Sequence, residues 1–481
     1  MTGFALFAAF PPPSPWEMPV DPSTIPPMFL MSTLQLFPVI VDHRFIFALT
    51  LNLLMVMSRV LVVGSGAGGA SVGLELAKRG VDVTILEAGG YPKIGTEMRA
   101  LGMYTGGMFG PGEFSRDGVE ILRTVMVGGS SFVTLGNGVR SLQGELLGFG
   151  IDLEDEFVEA ESELGITPCP VENLGPRTRL LMGASEELGF EMKPMPKFID
   201  FTRCKGCGKC VLGCVSGAKW TSRNSVGEAF RYGAKLLMNH KVLNVLHGDG
   251  EVRGVRVSTP DGVNELEADR VVLSAGGLGT PVILQRSGLE AGSNLYGDLF
   301  VDTFGLVKGA DFGSELGMAA LVDEFHESDG FIMSPMVEGP LDLLTNRMPL
   351  GRKVNALRGG QLIGLMTKIK DEATGVVDAD GGFTKPVGTV DREKVDKGYE
   401  KSRLLLEAAG AEPGSIFRTH IRGAHPGGTA GIGRVVDGGL ETEVSGLYVC
   451  DCSVLPEAPG KPPVLTLVAL GKYLGKQMAG P

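Results

Sequence analysis

The chain has 481 residues, 43% of them apolar and 21% charged, the make-up of a globular protein too long for one simple core. Its 44 basic and 56 acidic residues leave a formal charge of −12, and with no basic patch or stripe a nucleic-acid binder is excluded. Seven cysteines, an odd number with four in one run, make no disulfide framework. They point to metal, redox or packing roles in a reducing, cytoplasmic compartment.

Residues 1–56 are rich in Pro, Phe and Met and show no period. The apolar run FIFALTLNLLMVM, Phe45–Met57, has 13 residues, too short for a stable membrane span. No basic stretch or small-residue cleavage site frames it as a signal peptide. The segment is expected to be a poorly ordered extension, or sequence upstream of a true start at Met55 or Met57. An interfacial anchor is the alternative.

The stretch RVLVVGSGAGGASVGLELAKRGVDVTILEAGG, Arg59–Gly90, reads as a βαβ unit. A buried strand over Val60–Val63 meets a glycine turn, a helix follows over about Ala67–Arg79, Gly80 ends it, and VDVTILEAG is the second strand. Gly64, Gly66 and Gly69 fit G-x-G-x-x-G. The first makes the turn, the second admits a pyrophosphate to the backbone, and the third lets helix and strand pack closely. Glu87 closes the second strand 23 residues after Gly64, placed to accept hydrogen bonds from a ribose diol.

A second glycine-rich turn lies in RTVMVGGSSFVTLGNGVR, Arg123–Arg140. Next comes the run RCKGCGKCVLGC, in which Cys204, Cys207, Cys210 and Cys214 follow C-x2-C-x2-C-x3-C, the ferredoxin spacing, with Val215 in place of the usual proline. Gly206, Gly208 and Gly213 would let the backbone wrap a compact ligand and aim amide N–H groups at sulfur. In two-cluster ferredoxins the fourth cysteine of this run serves the other cluster. A single 4Fe-4S cluster would therefore need an unusual wrap through Cys214 or a remote ligand, for which Cys169, Cys450 and Cys452 are the candidates. Structural thiols, zinc and a disulfide stay open as alternatives.

Farther on, LLMNHKVLNVLHGDGEVRGVRVSTPDG, Leu236–Gly262, reads as a β-meander with turns at GDGE and TPDG. ADRVVLSAGGLGTPVILQRSGL, Ala268–Leu289, is a strand, an Ala-Gly-Gly turn and a helix, suited to a late strand returning to the first sheet. Patterning is weaker over residues 291–415, apart from a helix started by Asp391. The C-terminal segment reads as strand, proline-rich turn and helix. Nucleotide-binding pieces thus sit at the start, middle and end. The expected layout is a cofactor domain in three parts (57–140, 225–290 and 416–481), interrupted by a substrate and cysteine-rich insertion at 141–224 and a substrate domain at 291–415.

Four motifs, VLVVGSGAGGA, VMVGGSSFV, VVLSAGGLGTPVILQRSGL and HPGGTAGIG…GLYVCDCSVLPEAPGKPPVLTLVAL, follow one another from about residue 59 to the end. With them the chain resembles the glucose–methanol–choline (GMC) oxidoreductases. The cysteine run continues as GCVSGAKWTSRNSV, which resembles the branch that includes long-chain-alcohol oxidases. That branch also keeps cysteines here without an established need for iron. The resemblance implies an α/β fold, a discontinuous Rossmann-like FAD-binding domain with a second, antiparallel-sheet substrate domain. It implies that Gly64, Gly66, Gly69 and Glu87 bind the ADP half of FAD. Gly128, Gly129 and Ser130 would lie along pyrophosphate and flavin, Val242 would reach adenine through its backbone, Ala275 and Gly276 would flank the adenosine, and Asp451 would reach the ribityl–pyrophosphate region.

The family oxidises alcohols. A base takes the hydroxyl proton while hydride moves to the flavin, because an alkoxide releases hydride far more readily than a neutral alcohol. Histidine suits that base. Among six histidines, His425 stands in AHPGGT, the family's catalytic motif. Where the family places Asn or His beside the base, GKPPVLTL puts Lys461, which could hold a developing alkoxide or a substrate anion, or point to solvent. That departure leaves room for the reverse, reductive direction, or for a flavoprotein that only transfers electrons. The implied substrate is a small alcohol or lipid-like molecule. The acceptor would be ferredoxin-like if the cysteines hold a cluster, and oxygen or a quinone otherwise.

Overall fold

The computed structural model describes residues 59–92, 113–338 and 354–480, the side chains of 354–357 excepted; the N-terminal extension and its apolar run lie outside them. Strand β1 (Arg59–Val63), helix α1 (Ala67–Lys78) and strand β2 (Asp82–Glu87) form where the glycine motif places them. Val60–Val63 are 0–4% exposed, so β1 is covered on both faces, as a central parallel strand must be. Burying each such side chain contributes about 1.5–3 kcal/mol. Gly80, at φ +77°, closes α1 in the left-handed conformation that glycine adopts without strain.

Strand β3 (Lys235–Met238) pairs with the far side of β2. The meander follows as β4 (Lys241–Gly248), β5 (Glu251–Thr259) and β6 (Gly262–Glu267), turning at GDGE and TPDG as expected. Strand β7 (Arg270–Leu273) returns to lie parallel beside β1, and Leu447–Val449 lies parallel beside β7. One sheet, ordered Leu447–Val449, β7, β1, β2, β3, is thereby built from distant parts of the chain. At its centre Gly64 has φ +105°, and a Cβ there would sit 2.2 Å from the Ser274 carbonyl oxygen. Gly64→Ala is expected to cost on the order of 3 kcal/mol or more. Thermal unfolding should show the drop, and purified protein should carry less flavin per chain.

The second sheet is mainly antiparallel. Its long strands are β8 (Leu299–Leu306), β9 (Phe331–Pro335) and β10 (Leu362–Ile369), with β10 between the other two. Leu299, Val301, Leu365 and Met333 belong to the core that includes Val395, Leu405 and Leu406 of helix α2 (Thr389–Ala408). Residues of alternate parity, Phe300, Ile332 and Met366, form a second apolar group with Met195, Met318 and Leu321. Helix α2 starts at Thr389 rather than at Asp391. Asp391 is fully buried and is spent on tertiary contacts instead, accepting the Glu372 N–H at 2.9 Å and standing 3.6 Å from Lys385 Nζ.

The C-terminal helix α3 (Val464–Ala479) packs on α1. Buried Lys472 links it to Glu75 of α1 and to Glu163 of helix Glu154–Glu163, both at 2.9 Å. This docking carries the N-terminus of α3 to the ends of the parallel strands.

Candidate active site

A cavity of about 450 Å³ opens over the C-terminal ends of the parallel strands, where ligands bind in open α/β sheets. Gly64 and Gly66 after β1, Glu87 at the end of β2, Val242 after β3, and Ala275 and Gly276 after β7 all line it. So do Gly129 and Ser130 of the second glycine turn, Asp451, and His425. These expected residues are brought together. Gly69 and Gly128 lie just outside the wall. A Cβ on Gly69 would meet the Gly64 carbonyl at 2.2 Å, and one on Gly128 would press on Arg223. Their role in the fold is therefore close packing under the turns.

The wall fits the ADP half of a dinucleotide. Helix α1 begins at Gly66 with no side-chain cap and no acidic residue in its first turn. Its N–H groups and positive dipole end are left open to an anion. Glu87 is fixed from behind: its carboxylate accepts the Ser65 N–H and hydroxyl at 3.1 and 2.6 Å and the Gly89 N–H at 2.9 Å. Burial nonetheless pushes its pKa up, against those hydrogen bonds. Asp451 is held similarly by the Gly276 N–H, the Thr280 hydroxyl and the Ser453 N–H at 2.6–2.8 Å.

At the other end of the cavity His425 Nδ1 lies 2.6 Å from Asp298 Oδ2. Asp298 is fully buried and sits at φ +52°, strained for a residue with a side chain. It is held there by the Gly460 N–H at 2.9 Å and by the ammonium of buried Lys368 at 2.7 Å. Burial lowers the His425 pKa and so does the Lys368 charge, while the bond to Asp298 raises it; the balance is downward. The histidine is held neutral, with Nδ1 engaged and Nε2 free for the cavity. The motif around it has a steric reason: a Cβ on Gly427 would meet the Tyr296 hydroxyl at 2.2 Å and the Cys452 carbonyl at 2.3 Å.

Sequence reading missed Asp298 and Lys368. Lys368 comes from strand β10 and Asp298 from the turn that leads into β8, both far from His425 along the chain, and no motif marks either. Lys461 is half-buried and is not among the residues lining the cavity. Its charge acts on Glu327 instead. Pro463 and Val464, at the start of α3, line the wall near it. The lysine that the fold brings to His425 is Lys368.

The cysteine run lies behind the second glycine turn. Cys210–Leu212 forms a short helical turn that packs on Gly129–Val133. Cys169, Cys204, Cys210 and Cys214 share one apolar group with Ile199 and Leu316, and every cysteine is a free thiol. Among the described residues, no group of three or more His, Cys, Asp or Glu side chains could hold a metal ion. No helix among them is long and apolar enough to cross a membrane.

The GMC oxidoreductase family matches this chain twice, its N-terminal part over residues 61–302 and its C-terminal part over 376–471. An uncharacterised GMC-type oxidoreductase of Mycobacterium tuberculosis is 30% identical, over 87% of this chain and 75% of its own. An uncharacterised protein of Methanocaldococcus jannaschii is also 30% identical, over 87% of this chain and 98% of its own. A long-chain-alcohol oxidase of Arabidopsis thaliana is 25% identical, over 87% and 67% respectively. In fold, the chain is similar to pyridoxine 4-oxidase from Mesorbium loti, with a TM-score of 0.68 over 87% of this chain and 99% of that one at 17% identity.

Proposed function

The chain belongs to the GMC family of FAD-dependent oxidoreductases, and from that premise we propose that it oxidises a CH–OH group with His425 as the base. The observation that carries this reading is the His425–Asp298–Lys368 chain. Asp298 accepts from Nδ1, so Nε2 is the basic nitrogen, and it belongs to a residue of the cavity wall. Bound FAD supplies the hydride acceptor. The protein's own part is to take the hydroxyl proton at Nε2, hold the resulting imidazolium against Asp298, and exclude water. A neutral histidine can take that proton; a charged one cannot. The N-terminus of α3 at Pro463 and Val464 adds a positive dipole end on the same wall.

The substrate is proposed to be apolar. Ala424, next to His425, lines the cavity and packs on the apolar group of Phe300, Ile332, Met366 and Met318. A relative named as a long-chain-alcohol oxidase supports the same class. We further propose that a 4Fe-4S cluster on Cys204, Cys207, Cys210 and Cys214 accompanies the flavin, which favours a dehydrogenase with a ferredoxin-like acceptor over an oxidase. Its support is the ferredoxin-like spacing of four free cysteines, of which Cys210 lies in the short turn that packs on Gly129–Val133. The test of the main reading is anaerobic bleaching of the bound flavin by a panel of long-chain alcohols, sugars, sterols and hydroxy acids. Apolar alcohols are expected to bleach it. Flavin-loaded protein that none of the alcohols reduces would refute the reading.

A further inference from the structure

His326 is buried, 9% exposed, in the short helix Phe325–Asp329 ahead of β9, and it stands outside the cavity wall. Its Nε2 lies 2.9 Å from the Pro459 carbonyl oxygen, and its Nδ1 lies 2.7 Å from Glu327 Oε1. A peptide carbonyl can only accept, and so can an ionised carboxylate. Glu327 is exposed, and the bond from His326 holds its carboxyl below the usual carboxylate range. Both bonds together therefore require a hydrogen on each ring nitrogen. Lys370, just past β10, and Lys461 also act on Glu327, and Lys370 is itself paired with Glu457 and Glu145.

The peptide that His326 grips is the one that holds Asp298. The Pro459 carbonyl and the Gly460 N–H are two ends of one planar unit and point opposite ways. The carbonyl accepts from His326, and the N–H donates to Asp298 Oδ1 at 2.9 Å. Asp298 Oδ2 is the oxygen on His425 Nδ1. A line of hydrogen bonds thus runs from His326 through one peptide and Asp298 to His425. The peptide has little room to move. Pro459 and Gly460 are buried. A Cβ on Gly460, at φ +60°, would meet His326 Nε2 at 3.0 Å and the Lys370 Cβ at 3.2 Å. The chain around Asp298 is fixed separately, since buried Asp371 accepts the Gly297 and Leu299 N–H groups at 2.9 and 3.0 Å.

Resting on the reading of His425 as the base, we infer that His326 is a positioning residue for it, acting through the Pro459–Gly460 peptide. Donation to the carbonyl polarises the peptide and strengthens its N–H as a donor. That N–H sets where the Asp298 carboxylate stands and draws charge away from the oxygen that faces His425. The proline-rich turn EAPGKPP thus reaches the base through its backbone at Gly460, one residue before Lys461, and His326 supports that backbone from behind.

The test compares wild type, His326→Ala, His326→Gln and His425→Ala as flavin-loaded full chains. Anaerobic flavin reduction is followed across pH with the panel alcohol that bleaches the wild type fastest. His326→Ala is expected to lower the limiting rate on the order of 10-fold, with FAD still bound. Its acidic limb should move to higher pH, because Asp298 then turns more of its charge on His425 and stabilises the imidazolium. His326→Gln, whose amide can still donate to the Pro459 carbonyl, should recover most of the rate. If the Ala variant does not fold, His326→Leu, which fills the space without a donor, takes its place. A variant of lower thermal stability whose rate and acidic limb match the wild type would make His326 merely structural and overturn the inference. A loss of rate that Gln does not recover would overturn the route through the peptide. In either case a slow His425→Ala leaves the reading of the base standing, whereas a His425→Ala that reduces its flavin at the wild-type rate overturns both.

Discussion

His425→Ala is expected to slow anaerobic flavin reduction by an alcohol about 10²- to 10⁴-fold, the usual worth of a positioned general base, with FAD still bound. The separation of the two effects follows from geometry. The dinucleotide end of the cavity is built from Gly64, Gly66, Glu87 and Gly276, and none of these bonds to His425. The imidazole stands at the other end and bonds back to Asp298 alone through Nδ1. Removing it takes away the proton acceptor and leaves the Asp298–Lys368 pair intact at 2.7 Å. Stopped-flow bleaching at saturating alcohol reads the rate, and the flavin absorbance of the purified variant reads binding. An unchanged rate would mean that another group takes the proton.

Lys368→Met is expected to move the acidic limb of the flavin-reduction pH profile to higher pH. The base must be neutral, and it is neutral above its pKa. Three influences set that pKa: burial lowers it, the Lys368 charge lowers it, and Asp298 raises it. Asp298 also accepts the Gly460 N–H, which does not titrate, and the buried Asp371 carboxylate lies close enough to interact with it. With Lys368 gone, Asp298 turns its full negative charge on His425 and stabilises the imidazolium. The pKa rises, and activity is lost at a higher pH as the solution is acidified. A merely structural lysine would lower stability and leave the limb in place. Stability should fall as well, by about 3–5 kcal/mol, since a fully buried carboxylate loses its ammonium partner. A limb that does not move would show that Lys368 has no part in tuning the base.

The residues that hold the cofactor cavity were legible because the constraint on them is local. A tight turn at Gly64, an open helix start at Gly66 and an acid at the end of β2 lie within one βαβ unit, and each leaves a residue-type signature at a set spacing. The HPGGT motif was legible only through the resemblance; its steric reason is tertiary, since Gly427 is pressed between Tyr296 and Cys452 and admits no side chain. The second sheet was not. Strands β8 and β10 are buried along their whole length, so neither shows an alternation of apolar and polar residues. Asp302, Thr303, Thr367 and Lys368 interrupt the apolar runs that would otherwise mark buried strands.

The resemblance picked out His425; what the amino-acid sequence determined by itself is the βαβ unit, its glycine turns and the return of β7 to β1. These follow from backbone sterics and short-range periodicity, which act between near neighbours. The surroundings of that histidine were decided only by the tertiary structure. Lys461 lies close to the motif in sequence, yet it is absent from the cavity wall. Lys368 is remote in sequence, yet it is one ion pair away from His425. A buried charge takes its partner from whichever strand the packing lays beside it, and chain spacing carries no record of that choice. The cysteine run shows both halves at once. Its spacing raised the question of a metal, but the apolar group that Cys169, Cys204, Cys210 and Cys214 share with Ile199 and Leu316 came into view only when the chain was folded.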